Sequence, residues 1–513
     1  MAAPQADFAF GMGRAMRAMA LFTSAKTEYE TSLEGLEGEE YNTKLREIHQ
    51  RTAEKALEVA KENKGIYIKA AQFIAALQGG AGDHGIPKEY VNVLQALCDH
   101  APQTTFEEVE QVLVTEFGKG SSQKFRSFDK EPLAAASLAQ VHRAVTHEGV
   151  EVAVKVQHPG LWDMMASDFG VFTTMAASMK PGGFDLSWLV QDFQVSLTAE
   201  LDFKIEASNA IKVAEMLKHR SRVKVPTVYP ELSTTKVLTM EFVKGVRVND
   251  LTALKELGLH PLHVADTLSR TFAEMALCHG FVHGDPHAGN VYARAHPETK
   301  EAQIIIMDHG LYHTMDDAVR LNFCSLLVSC ILRRSRQMQV LGEKFAGQLY
   351  RYFPLILSPW FIFGTKIGYA ELLAAKDGRL PPGVELKDVG DFLVGLHDGG
   401  TNFLGVLHSI GYTRGLLNDL QWPERRRIKA LGEFAVRGKA DKQLHPGGES
   451  KAGAMSRLWL AFSVMWVVLQ TDLLALQLTV LLFLSKPFNQ VFGGALVAAI
   501  AIAAWFYFDQ MVN

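Results

Sequence analysis

Between Phe281 and Tyr292 the chain reads FVHGDPHAGNVY, which packs His283, Asp285, His287 and Asn290 into eight residues between apolar flanks. Gly284 and Gly289 permit tight turns there. Polar side chains this dense, set between segments that belong in a core, need a task beyond packing. Asp285 is suited to take the proton of an attacking hydroxyl or to orient a nucleophile. Asn290, five residues on, offers an amide oxygen to a metal. An ordinary polar loop with capping residues is the competing reading.

Three more segments stand in order around that loop. Lys155 lies in VAVKV, a short β-branched run bounded by Gly149 and Pro159 that reads as a strand. A lysine there needs a negative partner or water. Gripping nucleotide phosphates is one solution; facing solvent from an edge strand is the other. ELDFKIEASNA follows, on a long helical stretch that runs to about His219. It sets Asp202 and Glu206 four apart on one helix face, with Glu206 placed to hold Lys155. Past the loop, IIIMDHGL ends an apolar strand in Asp308 before Gly310, which suits a ligand for Mg²⁺. Lysine in a strand, glutamate on a helix, D-x-x-x-x-N in a loop and D-x-G after a strand form the order of a protein-kinase site. A metal-dependent hydrolase built on His283, Asp285, His287, Asp308 and His309 is the rival reading. It leaves Lys155 and Glu206 without a role.

With 513 residues, the chain exceeds one compact domain. Its pattern gives an α+β fold of two lobes. Residues 1–120 read as a helical extension, 121–243 as a small strand-containing lobe and 244–445 as a larger helical lobe. Residues 446–513 read as a linker and membrane segment. A net charge of -4 argues against nucleic acid as a partner. Four scattered cysteines, with no CxxC, argue against a disulfide scaffold or a cysteine zinc site. No signal-peptide core stands at the N-terminus. Gly11–Lys26, basic and free of acids, reads either as an organelle transit peptide or as an amphipathic first helix. Thr104 or Thr105 is expected to cap a helix ahead of Glu107 and Glu108.

Leu458–Leu484 is strongly apolar but interrupted by Gln470, Asp472 and Gln477, and Val491–Phe508 is uncharged throughout. With Trp505 and Tyr507 near its end, the second run suits a bilayer span, and the two together suit a membrane helical hairpin. A buried helix pair is the alternative. Asp472 would then need a partner helix or the interface. Arg425, Arg426, Arg427, Lys429 and Arg437 before the hairpin suit anionic lipid, or simply a solvated helix. After Asp308 the chain moves almost directly to a helix near Asp316, with no long activation loop and no Ala-Pro-Glu platform. That favours a small-molecule or lipid-like substrate over a protein one.

KGIYIKAAQ, LAAASLAQVHRAV, VAVKVQHP, ELDFKIEASNA, VLTMEFVKG, GFVHGDPHAGN and MDHGLY together resemble the aarF/UbiB family of atypical kinases, from near the N-terminus to at least residue 330. The resemblance implies ATP or ADP with Mg²⁺ as cofactors. It implies that Lys155 contacts phosphates, Glu206 holds it, Asp285 is the catalytic-loop aspartate, and Asn290 and Asp308 bind metal. Met240, Glu241 and Val243 fall in the segment whose backbone would hold adenine. Ala134, Ala135, Ala136 and Ser137 match the family's alanine-rich loop, which in that family favours ADP and restrains kinase activity. The family's Lys-x-Gly-Gln stands here as Lys69-Ala70-Ala71-Gln72, with alanine in place of glycine. In the family this helix folds over the site near an acidic pair that matches Glu200 and Asp202. The resemblance places the chain in an organelle membrane, the mitochondrion first and the plastid second; membrane helices would allow, without requiring, a homo-oligomer. It implies an ATPase or phosphotransferase in quinone or lipid metabolism or membrane upkeep. A nucleotide-sensing scaffold with little catalysis is the alternative.

Overall fold

A computed structural model of the chain describes residues 3–76, 87–98, 103–178, 187–358, 360–361, 403–440, 445 and 453–484. The Gly79–Gly85 loop, most of the linker and the Val491–Phe508 run lie outside the described residues.

The small lobe is built on a five-stranded antiparallel sheet. β1 (Ser127–Phe128), β3 (Ala139–Val145), β4 (Glu151–Gln157) and β6 (Val237–Glu241) pair in that order, and β2 (Ala134–Ala135) pairs with β3. Alternation along β4 decides its two faces. Val152, Val154 and Val156 are buried with Val109, Val112 and Leu113 of helix α4 (Phe106–Phe117). Each of these valines contributes roughly 1.5–3 kcal/mol of burial. Lys155 therefore points to the other face, opposite Val141 and Leu238 in the ladder. Of the two threonines expected to cap α4, Thr105 does so, in a capping box with Glu108.

Helices α1 (Ala3–Ser32), α2 (Gly38–Asn63) and α3 (Gly65–Ala76) form the extension. They pack on α5 (Leu161–Ser178), with Tyr67, Ile68 and Ala71 in their core. Gly11–Lys26 lies inside α1. Its Arg14 is buried, salt-bridged to Asp168 at 2.5 Å and bonded to the Asn63 carbonyl at 2.6 Å. This stretch is thus a packed first helix.

The expected long helix to His219 is broken. It becomes α5, α6 (Ser187–Glu200) and α7 (Phe203–Met216). Phe203 N–H leaves the helical pattern to donate to Thr235 O at 3.0 Å, and Gln157 of β4 donates to Leu201 O at 2.9 Å. Leu201 and Phe203 are both buried. The break makes Asp202 the N-cap of α7, so it does not share a helix face with Glu206 as its spacing suggests.

The large lobe carries the sheet β5 (Val223–Lys224), β10 (Ala302–Ile306), β9 (Val291–Ala295) and β7 (Val246–Arg247) in that order. It also carries the pair β8 (Phe281–His283) and β11 (Tyr312–Thr314). Helix α8 (Pro261–Glu274) runs into a π-turn that ends at Gly280. Gly280 has φ +62°, and a Cβ there would meet Met315 O at 2.8 Å. The close approach sets β8 against the segment after Asp308. Helices α9 (Asp317–Ile331), α10 (Phe403–Asp419), α11 (Glu424–Lys439) and α12 (Ala454–Leu484) complete the lobe.

Among the described residues α12 is the one helix long and apolar enough to cross a membrane. Leu460, Val467 and Leu474 are buried, and Asp472 pairs with Arg425 at 2.5 Å and Lys429 at 2.7 Å, both on α11. The expected need of Asp472 for a partner is met by the lobe itself. Arg427, read as a lipid-facing cation, is buried on Glu424 and the Leu357 carbonyl. The second arm of the expected hairpin falls outside the described residues.

Candidate functional site

Lys155 Nζ lies 2.8 and 3.0 Å from the two carboxylate oxygens of Glu206 and 3.5 Å from Asp308 Oδ1. It sits 5.1 Å above the Phe203 ring, whose burial comes from the break before α7. Burial opposes the lysine's charge, but Asp308 and Glu206 more than offset it and hold its pKa above the ordinary value. Burial raises Glu206, and Lys155 opposes that rise.

Asp308 ends the run from β10 with φ +50°, a left-handed conformation that costs a non-glycine residue roughly 1–2 kcal/mol. Gly310 N–H donates to Asp308 Oδ1 at 3.3 Å. A Cβ on Gly310 would crowd that same oxygen at 3.3 Å and Glu200 Cγ at 3.6 Å. The Asp308 side chain is 45 % exposed to the cleft. Burial works against its charge, but Lys155 and Lys69 hold the carboxyl well below the usual range.

Asp285 and Asn290 are tied together: Asn290 Nδ2 donates to Asp285 O at 3.0 Å, and Met307 N–H donates to Asn290 O at 2.8 Å. The loop and the Asp308 strand are thereby fixed to each other. His283, fully buried, braces the same junction. Its Nδ1 accepts from Asp285 N–H at 3.2 Å, so Nε2 carries the proton and donates to Met307 O at 3.1 Å. His309 is held likewise, by Ile306 O at 3.1 Å and the Tyr312 hydroxyl at 2.8 Å. Burial pushes His283 down and His309 down to about 3. Both rings spend both nitrogens on the protein, so neither is a metal ligand as arranged. Among the described residues no three His, Cys, Asp or Glu side chains cluster as a metal cage. That removes the support for the hydrolase reading. Asp308 and Asn290, with Asp285 beside them, fit a hard cation that keeps most of its shell for water and phosphate.

Lys69 of α3 reaches this cleft, 2.6 Å from Glu200 Oε2. Burial opposes its charge, and Glu200, then Asp285 and Asp308, more than restore it. Gln72 does not reach the cleft; it donates to Leu97 O at 2.9 Å inside the extension. Nor does Asp202 join Glu200. It caps α7, accepting from Lys204 N–H at 3.0 Å. Four carboxylates, Glu200, Glu206, Asp285 and Asp308, thus face two lysines. The excess of negative charge is what a bound divalent ion would complement.

In the alanine-rich loop, Ala134 and Ala135 are strand residues opposite Val141 and Gln140, and Ala136 N–H donates to Ala139 O at 2.8 Å. Ser137 is buried. The loop is also braced from outside. His158 Nε2 donates to Ala136 O at 2.9 Å, and its Nδ1 lies 2.5 Å from the Thr104 hydroxyl. Gln140 exchanges two bonds with the Thr104 backbone. Met240 and Glu241 end β6, and Val243 follows on the passage to the large lobe. The Glu241 carboxylate turns to Lys224 and Thr227, and its N–H donates to Thr227 O at 2.8 Å, so neither group is free to meet an adenine ring as arranged. After Asp308 the chain pairs at once as β11 with β8 and reaches the α9 cap at Asp316, so no activation platform intervenes. Sequence reasoning read His283 and His309 as possible metal ligands and Thr104 as a possible helix cap; their bracing roles, and His158 altogether, escaped it.

The description of the ABC1 atypical kinase-like domain matches residues 96–341. AarF domain-containing protein kinase 1 of Mus musculus is 38 % identical over 378 residues, covering 72 % of this chain and 71 % of that protein. The protein of that name in Gallus gallus is 37 % identical over 375 residues, covering 72 % and 71 %. The probable serine/threonine-protein kinase abkD of Dictyostelium discoideum is 33 % identical over 406 residues, covering 78 % and 57 %. With its lysine, glutamate, aspartates and asparagine in one cleft, the chain belongs to the ABC1/AarF family of atypical kinase-like proteins.

Proposed function

We propose that the cleft binds ATP or ADP with Mg²⁺ and turns ATP over, as an ATPase or as a phosphotransferase to a small or lipid-like acceptor at a membrane. One observation carries this: Lys155 is held between Glu206 and Asp308, and the Asp285–Asn290 turn is tied to the strand that ends in Asp308. Lys155 is placed for phosphate oxygens. Asp308 and Asn290 would hold the metal, which when bound offsets the charge that gathers on a transferring phosphoryl group. Asp285, tied at its backbone to Asn290 and braced by His283, would take the proton of the acceptor hydroxyl or water. The Lys69–Glu200 pair lies over this cleft and narrows it. With so short a passage from Asp308 to α9, that cover favours a small acceptor over a folded protein. The apolar C-terminal sequence supports a membrane setting. The mitochondrial placement and the roles in quinone or lipid metabolism rest on the family resemblance alone.

The test is ATP turnover and nucleotide binding with and without Mg²⁺ and lipid vesicles, for the wild type and Asp308→Asn. Mg²⁺-dependent turnover that Asp308→Asn abolishes is the expected result. Equal behaviour of the two, with no response to Mg²⁺, would sink the proposal. The scaffold reading draws on the braced alanine-rich loop. It predicts that Asp285→Asn, which spares binding, rescues a null strain in full.

A further inference from the structure

α12 shows two opposite faces. One is buried on the lobe through Leu460, Val467, Thr471 and Leu474. The other carries Leu458, Trp459, Phe462, Met465, Trp466 and Leu469, which are 37–66 % exposed. At helical spacing these side chains form one continuous stripe, extended by Leu476, with no charge in it. Two polar tethers bound the stripe. On one margin Asp472 binds Arg425 and Lys429 of α11; on the other Gln477 accepts from Arg333 at 2.7 Å. Both margins therefore bring cations of the lobe alongside.

We infer that α12 does not cross a bilayer but lies in its plane, with this stripe in the interface of an anionic membrane and the kinase-like lobe clamped above it. The inference rests on the membrane setting proposed above and replaces the spanning role expected of this helix. A crossing helix must part from any lobe that stays in water. α12 would then lose its buried face and strand Asp472 in hydrocarbon. Lying flat, it keeps every tether and buries a face to the roughly 5–10 Å depth usual for interfacial helices. The two tryptophans prefer that depth. The flanking arginines and lysine would meet anionic headgroups. A second copy docked stripe to stripe by a two-fold axis would instead bring like-charged margins together. Lipid is also close by in sequence. Six residues past Leu484, Val491–Phe508 is uncharged over 18 residues, roughly the length of a bilayer crossing.

Single nitroxide labels on the full chain in anionic vesicles test this, at Leu458→Cys, Phe462→Cys, Leu469→Cys and Leu476→Cys. Cys278, Cys324 and Cys330 are buried, and Cys98→Ser removes the remaining thiol. Oxygen and nickel accessibilities should give all four labels one shallow depth, within roughly 5 Å, although they spread over about 27 Å of helix axis. A Trp459→Glu/Trp466→Glu variant should move the Phe462→Cys and Leu469→Cys labels into water. Depths that climb to the bilayer centre and fall again would show a span and overturn the inference. Labels reached by neither reagent would show a protein cover, whether a second copy or residues 491–508, and overturn it too. So would wild-type labels that stay in water. ADP titration of the same samples reads the cleft separately, so a failed membrane geometry and a failed nucleotide site give different results.

Discussion

Lys69 on α3 and Glu200 at the end of α6 meet at 2.6 Å across the mouth of the cleft, joining the N-terminal extension to the machinery around Asp308. Both side chains are largely buried, and Glu200 is pushed up by burial against the pull of Lys69. We predict that the pair is a latch, which a ligand needing the mouth open must first separate. Removing it should favour the open cleft by about 1.4 kcal/mol, or roughly tenfold in basal ATP turnover. Lys69→Met/Glu200→Gln leaves no stranded charge and is the variant to measure. Each single change should act less cleanly, because it leaves a buried charge unpaired. A double variant with wild-type turnover would show that the pair gates nothing.

Asp202 separates a structural acid from a functional one. It caps α7 through Lys204 N–H. Asp202→Ala should cost roughly 1 kcal/mol of stability, the usual loss of a helix N-cap. ADP affinity and ATP turnover should stay at wild-type values, unlike those of Glu200→Gln. Thermal unfolding and turnover on the same preparation check both halves.

The five central residues were legible because each sits in a short motif with a local reason: a lysine inside a β-branched run, acids before a glycine, an aspartate and an asparagine in one turn. The structure brings Lys155, Glu206 and Asp308 together and ties Asp285 and Asn290 to the same strand end, as local patterns in the right order can specify. What escaped was long-range. No glycine or proline stands between Glu200 and Phe203, so nothing local announces that Phe203 N–H turns to Thr235. Gln72 sits on the same short helix as Lys69, yet only the register against α6 decides that Lys69 alone enters the cleft. Asp472 read as a cost and Arg425 and Lys429 as lipid contacts, because a sequence does not show that these three pair.

Acid should destabilise the fold through its buried neutral histidines. His309 is lowered to about 3 and His313 to about 4 by burial, and His283 is lowered as well. Their ordinary value is 6.5. Between that value and the depressed ones the unfolded chain binds more protons. The stability they support is complete above pH 6.5 and is lost as pH falls towards their folded values. Each such histidine adds a slope of up to about 1.4 kcal/mol per pH unit. Urea unfolding at pH 7.5 and at pH 5 should show the loss, and His313→Phe should make the slope shallower by about one proton. A stability that is flat across this range would mean these rings are charged in the fold.

His158 links the extension's Thr104 to the alanine-rich loop, so movement at the start of α4 reaches Ala136 through it. Its imidazole is half-buried, and burial lowers its pKa and so favours the neutral ring. Neutral, it can donate from Nε2 to Ala136 O while Nδ1 accepts the Thr104 hydroxyl proton. His158→Leu fills similar volume but makes neither bond, at about 1 kcal/mol for each. The β2–β3 hairpin keeps its ladder, so the lobe should still fold. The loop, however, loses its outer brace, and ordering it around phosphates then falls on the ligand. ADP affinity should weaken roughly fivefold, the equivalent of about 1 kcal/mol. Thr104→Val, which removes only the hydroxyl, should produce a smaller loss in the same direction. Calorimetric titration of both variants measures the ordering. If His158→Leu binds ADP as tightly as the wild type, the His158 bridge does not order the Ala136 loop, and the hairpin with its Gln140–Thr104 bonds suffices.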